Sequence, residues 1–129
     1  MLNEELLKKL RYKNGHALVL NAPEGYDLGI ESNEVITDSK AAFIQLFVHN
    51  AEQVHEWVPQ VIARLDEDAV FWITYPKQTS KVKTDINRDS LWKLVESIAP
   101  YRPVSNVAVD DKWSALRFRH VDLVQSKKK

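Results

Sequence analysis

The chain has 129 residues, 44% hydrophobic and 28% charged, which fits one domain with an ordinary hydrophobic core. It has no cysteine, so disulfides, thiolate metal sites and cysteine nucleophiles are excluded, and a reducing, cytoplasmic compartment fits. Its 18 basic and 18 acidic side chains cancel, which argues against a dedicated nucleic-acid binder, because such a protein needs a positive surplus to displace counterions.

Leu2, Leu6, Leu7 and Leu10 recur at helical spacing behind Asn3, with Glu4 and Glu5 first and Lys8, Lys9 and Arg11 last, as the helix dipole prefers. The alternation of charge with leucine there lacks the continuous apolar region of a signal peptide. No apolar run in the chain approaches the roughly 20 residues that span a bilayer. Asn14-Gly15 supplies turn chemistry, and Ala17 to Leu20 reads as a short buried strand closed by Asn21-Ala22-Pro23-Glu24-Gly25. Residues 26–40 scatter Asp27, Glu31, Glu34 and Asp38 among apolar residues, the pattern of a short helix or loop with an acidic face.

Phe43 to Val48 is a continuous apolar strand by length and residue type. Asn50 and Gln53 then form a capping box for a helix that buries Val54, Trp57, Val58, Val61, Ile62 and Leu65, with Pro59 placed to kink it. Ala69 to Tyr75 is a second apolar strand, followed by a polar loop from Pro76 to Thr84. A second helix over Asn87 to Ala99 buries Leu91, Leu94, Val95 and Ile98, and Pro100 and Pro103 bracket its exit. Val104 to Val109 and Trp113 to Val121 form a hairpin about Asp110-Asp111-Lys112.

Apolar strands alternating with helices predict an α/β fold: a three-layer, Rossmann-like, mostly parallel sheet of about five strands with a C-terminal antiparallel hairpin at its edge. Residues 1–125 make one domain and the basic residues 126–129 a disordered tail.

This element order is similar to the core and C-terminal half of class I methyltransferases. More closely, the chain resembles an uncharacterised bacterial family of small Rossmann-like domains. The matching residues are Leu10 with Gly15, Trp72-Ile73 with Pro76-Lys77, and Ser105, Val107, Val109, Trp113-Ser114 and Arg117. That family implies a fold and no activity. The methyltransferase resemblance would imply S-adenosylmethionine, but the cofactor loop is replaced: an acidic residue and G-x-G should stand where Leu20-Asn21-Ala22-Pro23-Glu24-Gly25 stands. The dinucleotide fingerprint G-x-G-x-x-G is missing too. No cofactor is therefore expected.

Ligands of open α/β sheets bind outside the carboxyl ends of the parallel strands, here Asn21-Ala22-Pro23, His49-Asn50 and Pro76-Lys77. In the loop after the third strand, Lys77, Lys81 and Lys83 stand with Thr79, Ser80 and Thr84 just before a helix N-terminus, a composition suited to phosphate or carboxylate and equally to a solvated surface loop. His49 could move a proton or make a polar contact, or simply flank a helix cap. Asp110 and Asp111 could pair as carboxylates or serve only as a turn. Trp113, with Arg117 and Arg119 along the same strand face, could stack a ring or pack the core. Trp57, Trp72 and Trp92 read as core. No H-E-x-x-H, cysteine–histidine set or G-x-S-x-G elbow is present, so neither a metal site nor a serine triad is expected.

The candidate ligand residues are thus Asn21, His49, Lys77, Ser80, Lys81, Lys83, Thr84, Asp110 and Trp113. With no assembled catalytic set, they point to a non-catalytic module that binds a small anion or nucleotide, or a protein partner. The alternative is a small enzyme acting on a phosphorylated or carboxylate metabolite. Neither nucleic acid nor membrane is expected as a partner.

Overall fold

The computed structural model describes residues 8–10, 17–22, 40–76, 86–109 and 112–120, with the backbone alone for 66–68. Among them run β1 (Ala17–Leu20), β2 (Ala41–Phe47), α1 (Ala51–Ile62), β3 (Leu65–Pro76), α2 (Arg88–Ile98), β4 (Tyr101–Ala108) and β5 (Trp113–His120). The expected N-terminal helix, the segment 26–39 and the loop 77–85 fall almost wholly outside the described residues, apart from a helical Lys8-Lys9.

The five strands form one sheet in the order β1-β2-β3-β5-β4. β1, β2 and β3 are parallel neighbours, whereas β5 is antiparallel to both β3 and β4. The expectation of a mostly parallel, three-layer sheet is corrected on both counts. Half of the pairings are antiparallel, and both described helices pack on the same face. The second result follows from the strand order. From β2 through β3 to β4 the chain advances in one direction across the sheet, and right-handed crossovers then lay α1 and α2 on one side. A crossover helix on the opposite side needs the order to reverse, and among the described residues it does not. The α2 crossover also skips one strand position, and β5 turns back to fill it. The hairpin is therefore not an added edge: β5 lies inside the sheet and β4 is the edge.

On the helical face, Val54, Val58 and Val61 of α1 and Leu91 and Val95 of α2 pack against Ile44, Leu46, Ile73 and Phe118 of the sheet. The opposite face carries a second buried cluster of Val19, Phe43, Phe47, Trp72, Trp113 and Ala115, joined by Leu10. Burial on both faces explains why β2 and the second half of β3 read as unbroken apolar runs instead of alternating ones.

Three element boundaries differ from the periodicity. Leu65 fits the helical repeat of α1, but the helix stops at Ile62 and Leu65 opens β3 opposite Ala41. The turn at Ala63-Arg64 is closed by Arg64 N–H to the Val61 carbonyl at 2.9 Å, and Ala41 N–H reaches the Arg64 carbonyl at 2.8 Å. α1 runs through Pro59 to Ile62, with the ring on the exposed side where water can satisfy the bypassed carbonyl. β4 starts at Tyr101 and includes Pro103, a residue tolerated because the strand is an edge.

Asn87 caps α2 with a complete capping box: its side chain accepts from Ser90 N–H at 2.9 Å, and its own N–H donates to Ser90 Oγ at 2.8 Å. Asn87→Ala should lower stability by about 1 kcal/mol, read as a shift in the urea midpoint at constant slope.

Candidate functional site

The parallel strands deliver Asn21, His49 and Pro76 to one edge of the sheet, and the antiparallel β5 begins there with Trp113, opposite Pro76. Asn21 follows Leu20, the partner of Leu46, and has φ 61°, the left-handed region that asparagine tolerates better than most residues. The chain thus turns away from the sheet as β1 ends.

β2 is carried past Phe47 by a bond from Val48 N–H to the Thr74 carbonyl at 2.9 Å. His49 comes next, and its backbone is held by the start of α1. Its N–H donates to Gln53 Oε1 at 2.6 Å, while Gln53 N–H donates to Asn50 Oδ1 at 3.0 Å. The imidazole, exposed to solvent, meets the Trp113 indole edge to face at 5.3 Å between centroids. Trp113 in turn packs edge to face on Phe47 at 5.1 Å and is only 6% exposed. The indole is therefore a buried support, and His49 is the group that faces outward. Of the sequence candidates, the structure brings these two together and leaves Asn21 at the end of its own strand. Lys77, Ser80, Lys81, Lys83, Thr84 and Asp110 lie outside the described residues.

Two polar groupings were not anticipated. At the same edge, on the helical face, Asn106 Nδ2 donates to Tyr75 Oη at 3.4 Å, and Ser114 Oγ approaches Asn106 Oδ1 at 3.5 Å and the Val107 carbonyl at 3.3 Å. Tyr75 and Ser114 are cross-strand partners, so the grouping depends on a register that no local pattern displays. Deeper in the other face, Gln45 Nε2 donates to Thr74 Oγ1 at 3.0 Å, both side chains fully buried. The signal for this pair is one glutamine inside an apolar run.

At the far end of β4 and β5, Tyr101 meets Phe71 and His120 edge to face at 6.2 and 5.4 Å. Burial raises the Tyr101 phenol above its ordinary pKa, so it stays neutral through physiological pH. Trp72 is core as read, Trp57 is partly buried against the core, and Trp92 is 39% exposed, contrary to its core reading.

Among the described residues no group of three or more His, Asp or Glu side chains is arranged to hold a metal ion, and no helix is long and apolar enough to cross a membrane. The chain matches no protein-family model, and comparison with curated proteins and solved structures gives no significant similarity.

Proposed function

We propose that this chain is a non-catalytic binding module that takes a small anionic or nucleotide-type ligand at the carboxyl edge of its parallel strands. The observation that carries the reading is His49: an exposed imidazole backed by the buried Trp113, on a backbone held by the α1 cap. A side chain held in this way loses little freedom on binding. The adjoining N-terminus of α1 adds a favourable field for an anion, offset in part by Glu52 in its first turn. Lys77, Lys81 and Lys83 follow Pro76 in sequence and supply the matching charge. The same reading keeps the resemblance to the small bacterial family, on Trp72-Ile73, Trp113-Ser114 and Arg117, without a three-layer sheet. It also keeps the cytoplasmic placement suggested by the absence of cysteine.

The test is a thermal-shift and calorimetric titration of the whole chain with inorganic phosphate, AMP, ATP and citrate. Saturable stabilisation by at least one of these is expected. His49→Ala and Lys81→Ala should each weaken it by about tenfold or more, the loss of one charge-assisted contact. No shift with any of the four overturns the small-ligand reading and leaves protein interaction. Turnover of a bound ligand that is abolished in His49→Ala would replace the module with the enzyme.

A further inference from the structure

β4 is the last strand in the sheet order, and among the described residues no strand pairs with its outer side. An open edge of eight residues is a template on which another chain can add a strand. Charge repulsion does not oppose that here, because 18 basic and 18 acidic side chains leave no formal net charge. The outcome rests on what the edge itself offers to an incoming strand.

The amides can be followed from one bond. Val109 N–H donates to the Trp113 carbonyl at 3.0 Å, so the alternation of an antiparallel pair turns Val107 and Ser105 toward β5 and Ala108 and Asn106 outward. The register then breaks. Ser105 stands opposite Arg117 and Pro103 opposite Phe118, so β4 advances two residues while β5 advances one. Val104 is the extra residue of a β-bulge, and its side chain is 38% exposed. The faces change across it accordingly: Tyr101 packs with the cluster on the helical face, whereas Val107 packs with the cluster on the other.

Before the bulge the outward positions are Pro103 and Tyr101, the partners of Phe118 and His120. Neither offers a donor. Pro103 has no N–H, and Tyr101 N–H is given to the Ala99 carbonyl at 2.9 Å. The bulge also puts the two halves of the edge out of step. A regular strand presents its acceptors at every second residue, about 6.7 Å apart, but Pro103 and Asn106 are three residues apart. A strand aligned with Asn106 and Ala108 misses the first half of the edge. One aligned with the first half finds no donor there.

We infer that Pro103, the Val104 bulge and the Tyr101–Ala99 bond together form an edge block, a device that keeps β4 from adding a further strand, one from another copy of the chain included. All of it falls between Ala99 and Val104. The β4–β5 ladder loses no donor to it, because the missing proline N–H and the Tyr101 amide both lie on the side away from β5. The inference does not rest on the ligand reading, since His49 follows β2, and β3 and β5 lie between β2 and β4.

The experiment combines Pro103→Val with deletion of Val104 in the full chain, which restores an outward N–H and a regular register. Sedimentation velocity from about 1 to 100 µM reads self-association, which mass action shifts across that range. The combined variant should associate roughly tenfold or more strongly than the parent. Adding Ala108→Pro, which removes an outward amide that the β4–β5 ladder does not use, should reverse the gain. Far-UV circular dichroism checks that each variant is folded. If the deletion is not tolerated, Pro103→Val alone is measured, and it too should associate more strongly than the parent. A folded variant that associates no more than the parent overturns the inference, as does a gain that Ala108→Pro leaves unchanged. A parent that already self-associates and is separated by Ala108→Pro overturns it as well.

Discussion

Trp72→Ala is expected to lower the stability of the chain by about 3–5 kcal/mol, the range for removing a large aromatic from a packed interior. Trp72 is fully buried on the sheet face opposite the helices, between Gln45 on β2 and Arg117 on β5 in the register. It does two jobs. Its ring fills the centre of the cluster that includes Phe43, Phe47 and Ala115, and its Nε1–H donates to the Leu10 carbonyl at 2.7 Å, a buried bond across 62 residues of sequence. That bond ties Leu10, far from β3 in sequence, to the middle of the sheet. Trp72→Phe separates the two roles: it keeps most of the ring and leaves the Leu10 carbonyl without this donor, at a cost of about 1–3 kcal/mol. Urea unfolding of both variants measures the difference. Equal stability of Trp72→Phe and the parent would show that the bond adds nothing.

The sequence made the strands legible where burial on both faces leaves unbroken apolar runs, as in Phe43 to Val48 and Ala69 to Tyr75. It made the helix starts legible where capping chemistry is local, at Asn50 with Gln53 and at Asn87. It misled where a tertiary contact competes with periodicity. Leu65 satisfies the helical repeat of α1, yet it gains a strand partner in Ala41 by leaving the helix. Layering was misread for a different reason. Alternating strands and helices say that crossovers exist, but the face each helix takes depends on whether the strand order advances or reverses, and that order is a long-range property. The antiparallel insertion of β5 between β3 and β4 has the same origin.

The site shows the same division. That His49 stands at a strand end could be read from its position after an apolar run. That it rests on Trp113, 64 positions later, could not, because their meeting depends on β5 pairing with β3 so that Trp113 falls opposite Pro76. The arrangement also reverses the roles that residue type alone suggests. Trp113 has the larger surface for stacking a ligand but is buried, whereas His49 is the group presented. Trp92, read as core because it sits among apolar residues on a helix, is exposed instead, while Leu91 beside it in sequence is the residue that α2 buries.

Gln45→Leu should destabilise the chain by about 2 kcal/mol, although it replaces a polar side chain with an apolar one of similar size inside a hydrophobic cluster. The Gln45 amide donates to Thr74 Oγ1 at 3.0 Å in a fully buried setting, and removing it takes that donor from a hydroxyl that water cannot reach. Thr74→Val should cost a similar amount, because the amide then loses its acceptor. The double variant should recover much of the loss, giving a coupling energy of about 1–2 kcal/mol in a double-mutant cycle. An additive double variant would show that the two side chains do not act as a pair. The pair also bears on the candidate site. Gln45 lies opposite Trp72 and Thr74 opposite Phe47, so the bond is a diagonal that exists in one register of β2 against β3. Sliding β2 by one residue against β3 would turn Gln45 to the opposite face and part it from Thr74, leaving each among apolar side chains. The same register sets the heights of Val48 and Thr74, whose backbone bond carries His49 to the sheet edge. A polar pair at the centre of an apolar strand therefore fixes the alignment on which the exposed imidazole depends, and the single variants should loosen His49 as well as lower stability. Broadening or shift of the His49 ring resonances in Gln45→Leu, restored in the double variant, is the expected signature.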